Sequence, residues 1–164
     1  MIDFAVFALP RSGTAWLANW LTTEQSLCLH DPFAVAMPEH WDAGGKRLGI
    51  SCTGSYLFPK WLHSLDCPVA VIERDPMECA ASLRANGLPD DVGPLKRALD
   101  AVQGRRFSFS DLWNEVKARE LWGFLRPGVP FDASRYRLLR SLHVETKSRT
   151  ADMDVLAELL KRYG

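Results

Sequence analysis

Apolar positions in this chain fall into short continuous runs broken by polar punctuation, and these runs alternate with segments whose apolar residues recur three or four apart. Residues 2–9 are apolar except for Asp3. An unbroken run of that length, ending at Pro10-Arg11-Ser12-Gly13, reads as a strand covered on both faces. Further strands are predicted at residues 26–30, 47–51, 69–73 and 129–132, each bounded by Pro, Gly, Asp or Ser. Helices are predicted at residues 14–23, 58–65 and 77–86, the last opened by Asp75-Pro76 and closed by Gly87 and Pro89. Others follow at residues 90–103, 134–142 and 152–163. One more begins at a Ser110 cap, carries Leu112, Trp113, Val116, Trp122 and Phe124, and stops at Pro127-Gly128.

Strands that alternate with helices and are written as continuous apolar runs predict an α/β fold: a three-layer sandwich with a central, mostly parallel sheet of about five strands. With 164 residues, one domain over 1–164 is the expectation. Ligands of such sheets bind beyond the carboxyl ends of the strands. That rule puts residues 10–14, His30-Asp31, residues 51–55 and Arg74-Asp75 on one rim.

Twenty basic and twenty acidic residues cancel, so no global positive field draws nucleic acid or an anionic membrane, and neither is expected as a partner. An anion site has to be local. No apolar run approaches the ~18 residues of a membrane span, and the first run lacks the basic flank of a secretory signal. Cys28, Cys52, Cys67 and Cys79 form no C-x-x-C pair and lie in or beside apolar segments. They read as reduced, buried thiols, which implies a cytoplasmic setting.

The first segment with chemistry is Leu9-Pro10-Arg11-Ser12-Gly13-Thr14-Ala15-Trp16, at the junction of the first strand and helix. Gly13 admits close approach of an anion, the unpaired N–H groups of a helix start point at it, and Arg11 with the Ser12 and Thr14 hydroxyls adds donors. The same residues also suit an ordinary turn capped by Ser12 or Thr14. A nucleotide-binding phosphate loop is the functional reading. It is not a Walker A loop, which needs a lysine after its second glycine. That absence argues against a nucleotide kinase or NTPase handling a γ-phosphate with Mg²⁺.

The Pro-Arg-Ser-Gly-Thr-x-Trp pattern resembles the 5′-phosphosulfate loop of sulfotransferases, members of the P-loop superfamily that use 3′-phosphoadenosine 5′-phosphosulfate. A second segment is independently similar to the family: the strand at residues 69–73, Arg74-Asp75-Pro76, then Ala80-Ala81-Ser82-Leu83. The resemblance covers residues 4–86. It implies that Arg74 and Ser82 grip the 3′-phosphate, that Arg11, Ser12, Gly13, Thr14 and Ala15 hold the 5′ end, and that Trp16 stacks near the adenine. Its implied activity is sulfuryl transfer to a hydroxyl or amine of a small-molecule or carbohydrate acceptor, without a metal and with adenosine 3′,5′-bisphosphate as product.

The chain departs from the family pattern in lacking an R-K-G-x-x-G-D-W-K segment to close over the nucleotide. Lys147-Ser148-Arg149 is the available substitute. For the base, His30-Asp31-Pro32 is similar to a His-Glu-Pro stretch of some members. Asp31 and His30 are therefore the candidates, together with Arg11 for the leaving oxygen, while His63 sits within a predicted helix and His40 and His143 have no supporting pattern. A member that holds the nucleotide without transferring anything is the alternative.

Overall fold

A computed structural model describes residues 1–142 and 151–164. Its first strand, β1 (Phe4–Ala8), is buried at every position because it lies at the centre of the sheet, paired in parallel with β3 (Arg47–Cys52) and β4 (Val69–Glu73). With β2 (Ser26–His30) and β5 (Arg105–Ser108) the order is β2-β3-β1-β4-β5, all neighbours parallel. Successive β1 residues face opposite layers. Phe4, Val6 and Ala8 enter one core, while Ala5, Phe7 and Leu9 enter the other. The α/β sandwich expected from the apolar runs is thus present.

On the first face, α1 (Thr14–Leu21), α5 (Glu115–Leu125) and α6 (Ala133–Ser141) bury Trp16, Trp20, Trp122 and Tyr136. On the second, α2 (Pro59–His63), α3 (Pro76–Ala85), α4 (Gly93–Asp100) and α7 (Met153–Tyr163) cover the sheet with Trp61, Cys79, Leu99 and Leu159. The β1–β3 approach is close at one point. Phe4 pairs with Gly49, and a Cβ on Gly49 would fall 2.0 Å from the Phe4 ring, so only glycine fits there.

The fifth strand is not where the apolar pattern puts it. Residues 129–132 form no ladder: Pro130 brings no N–H, Val129 gives its carbonyl to the Trp122 indole at 2.9 Å, and Phe131 packs edge-on to Trp20. The strand is instead Arg105–Ser108, an edge strand in which only Phe107 is buried. A second correction concerns the helix at Ser110. Ser108 and Asp111 form a capping box around a 3-10 turn, Phe109–Trp113, and the true cap of α5 is Asn114, whose Oδ1 accepts from the N–H groups of Val116 and Lys117. All four cysteines are free, but Cys67 is only half-buried, not buried as the pattern implied. Burial, then the neighbouring Asp3 and Asp66 charges, push its thiol up to about 11.

Candidate functional site

Every segment assigned to the ligand rim comes together around one cavity of about 800 Å³ at the carboxyl ends of the strands. Its floor is the turn between β1 and α1. Gly13, in the left-handed region at φ 79°, starts the helix with no side-chain cap, so neither Ser12 nor Thr14 spends its hydroxyl on the first-turn N–H groups. Those N–H groups lack partners within the helix and face outward from its positive end. The turn is pinned from β3, where Ser51 Oγ donates to the Thr14 carbonyl at 2.9 Å, and from Tyr56, whose hydroxyl donates to the Ala8 carbonyl at 3.2 Å.

The two sequence motifs touch. Arg11 Nε donates to Ser82 Oγ at 3.1 Å, and Arg74 Nη1 donates to the Arg11 carbonyl. Arg74 is also held by Glu78 at 3.2 Å, one turn into α3, and lies 4.3 Å from the centre of the Phe109 ring. Asp75, whose side chain accepts from Met77 N–H, caps α3 and fixes the turn that carries Arg74. Arg11, Gly13, Thr14, Ala15, Trp16, Arg74 and Ser82 all line the cavity.

Ser12 does not. Its side chain is fully buried, with Oγ 3.5 Å from Cys79 Sγ, so any contact of Ser12 with a ligand runs through its backbone N–H, not the hydroxyl donor expected from sequence. Trp16 reaches the wall but is 4 % exposed. It stacks on Trp20 at 5.2 Å and donates its indole N–H to the Leu139 carbonyl. Most of its surface is therefore spent on the core, and half-buried Trp113 and Phe109 present the more open rings.

On the β2 side His30 and Asp31 line the same cavity, while His63 lies on α2 with its Nδ1 2.6 Å from the Pro59 carbonyl and does not. His30 Nε2 is 3.1 Å from Thr14 Oγ1 and 3.2 Å from Asp31 Oδ2. Asp31, itself left-handed at φ 44°, accepts from the Thr53 N–H at 2.6 Å and from the Thr53 hydroxyl at 3.1 Å. The result is a connected chain from the phosphate loop to β3: Thr14, His30, Asp31, Thr53.

Sequence reasoning put Thr53 on the rim within residues 51–55 without giving it a role, and it missed Phe109 and Arg140 as wall residues. Locating β5 at Arg105–Ser108 would have put Phe109 on the rim, whereas nothing local marks Arg140. Lys147-Ser148-Arg149 and His143 lie outside the described residues. Among the described residues no group of three or more His, Cys, Asp or Glu could hold a metal ion, and no helix is long and apolar enough to cross a membrane.

No family model matches this chain, and no curated protein matches it by sequence. Among solved structures, it is similar to mouse sulfotransferase SULT7A1 complexed with PAP, with a TM-score of 0.55 and 15 % identity, over 85 % of this chain and 63 % of that one. The chain therefore spans less than two-thirds of that neighbour's length. At this identity the likeness is one of fold.

Proposed function

We propose that this chain binds 3′-phosphoadenosine 5′-phosphosulfate and transfers its sulfuryl group to a hydroxyl or amine. The observation that carries the reading is the contact of Arg11 with Ser82 and of Arg74 with the Arg11 carbonyl. Two motifs 63 residues apart in sequence thereby become one polar surface on one cavity. The donor set fits the ligand: among the described residues Arg11, Arg74 and Arg140 line the wall against a single carboxylate, Asp31. Three guanidiniums suit two separate anionic groups, since arginine binds phosphate and sulfate oxygens through paired N–H donors.

Bound here, the phosphosulfate supplies an activated sulfuryl group. Gly13, the first-turn N–H groups of α1 and Arg11 hold its 5′ end and stabilise the oxygen that takes up charge as the sulfur–oxygen bond breaks. Arg74 and Ser82 hold the 3′-phosphate, and Trp16 with Trp113 walls the base. The acceptor's proton passes to the His30–Asp31 pair, with Asp31 set in place by Thr53 and His30 by Thr14.

A nucleotide-binding protein without transfer is the second reading. It is favoured by the fact that both Asp31 oxygens already accept from Thr53 or face His30. Transfer of labelled sulfate decides between the two. Asp31→Asn keeps shape and loses basicity, so turnover is expected to fall ~10²–10⁴-fold, the usual share of general base catalysis, with adenosine 3′,5′-bisphosphate binding retained. His30→Gln is the control for the partner. Full activity in both variants would remove the pair from the mechanism.

A further inference from the structure

At the amino ends of β2 and β3, the rim opposite the cavity, a positive charge is buried with two of its nitrogens unmatched. Arg126, the residue that ends α5, is fully buried. Its guanidinium lies 4.4 Å from the centre of the Trp122 ring, and its Nη2 donates to Thr23 Oγ1 at 3.2 Å. Its Nε and Nη1 have no hydrogen-bond partner among the described residues. Thr23 stands in the turn between α1 and β2, 3.1 Å from the hydroxyl of Ser26, which pairs in register with Arg47 at the start of β3. A second guanidinium reaches the same turn. Arg135 Nη2 donates to the carbonyls of Asn19 at 2.8 Å and Thr22 at 2.6 Å, while its buried Nε is again without a partner among the described residues.

A guanidinium taken out of water with donors unmet is costly unless an opposite charge answers it. The full charges that act on Arg126 share its sign. Burial first, then repulsion from Arg47 and from Arg135, holds its guanidinium below the ordinary value, and no carboxylate among the described residues opposes them. The Cys28 thiol works the other way, but burial pushes that thiol up, so it stays neutral and supplies no counter-charge. Asp3 lies 3.5 Å from Arg47 and answers that cation. A water molecule would accept from the unmet N–H groups, yet it brings no charge. A nucleotide-sized anion cannot reach a side chain that shows no surface. A compact anion meets both the donors and the charge.

We propose that Arg126, at the turn between α1 and β2, binds a monovalent anion of about chloride's size, with Arg135 and Arg47 adding attraction from either side of the turn. The ion ties α5 and α6 to the end of α1 and so stabilises the fold, at a place remote from the nucleotide cavity and independent of the sulfuryl-transfer reading.

The test compares thermal unfolding of the full chain in sodium chloride and in sodium gluconate at equal ionic strength. Chloride is expected to raise the parent's midpoint by about 3–6 °C once it stands tenfold above its dissociation constant. Arg126→Met keeps much of the side-chain volume without the charge, and it should lose that rise. Arg74→Ala should keep it, because that guanidinium lies in the cavity at the other end of the sheet. No rise in the parent, a rise that survives Arg126→Met, or one that disappears in Arg74→Ala would overturn the proposal. Should Arg126→Met fail to fold, a crystal of the parent soaked in bromide decides: anomalous density against Arg126 Nε or Nη1 supports the site, and its absence there overturns it.

Discussion

Arg11 at φ 67° and Gly13 at φ 79° bracket Ser12 in the left-handed region, and this turn aims the first N–H groups of α1 and the Arg11 guanidinium into one cavity. Glycine is required for two reasons: a side chain is disfavoured at that φ, and a Cβ would sit 3.2 Å from Leu112 Cδ1. Gly13→Ala should therefore cost about 1–2 kcal/mol of stability, read from denaturant unfolding, and weaken anion binding as well. An unchanged unfolding midpoint would mean that the turn is not held as described. At this scale the loop and Arg74 were legible because strand-turn-helix punctuation is local. The direction of the Ser12 side chain was not, since Cys79, which it faces, is 67 positions away. Arg140 was equally hidden, its place on the wall being set by how α6 packs.

Among elements, the misplaced fifth strand shows why pattern and position part company. Residues 129–132 carry apolar side chains because Phe131 fills a gap among Trp20, Trp122 and Tyr136, not because a ladder exists there. The edge strand β5 is polar at three of four positions and is held by pairing with β4, a long-range partner that composition does not announce. The cap of α5 illustrates the same point one level down. Asn114→Ala should destabilise by about 1 kcal/mol, whereas Ser110→Ala should cost far less, and equal losses would contradict the assignment. Glu115, at the start of the same helix, has its carboxyl held below the usual range chiefly by its hydrogen bond to Arg137 of α6. A depressed folded value means that its contribution is complete above the unfolded value and is lost as pH falls through the folded one. The gap in unfolding midpoint between the parent and Glu115→Gln is thus expected at pH 6 and should shrink as pH falls below the usual glutamate range, closing once the folded carboxyl takes up its proton. A gap that persists in acid would point to packing instead of charge.

For the whole molecule, β1 divides two cores by the alternation of its side chains, and the order β2-β3-β1-β4-β5 places its carboxyl end at the middle of the rim. This arrangement sets the phosphate loop between Arg74 on one side and His30 with Asp31 on the other. The parallel sheet was legible from continuous apolar runs, because a strand covered on both faces has no polar face to show. That the two motifs serve one ligand was legible only through resemblance, and the direct contact of Arg11 with Ser82 was not legible at all, since periodicity carries no information on which helix packs back toward which loop. The central claim is that these two motifs form one nucleotide site, and calorimetric titration of adenosine 3′,5′-bisphosphate in the presence of a chelator tests it most directly. The account predicts saturable one-site binding without metal, weakened in Arg74→Ala by about 1.5–3 kcal/mol, the worth of a charge-assisted contact. Absence of binding, or an affinity unchanged in Arg74→Ala, would contradict it.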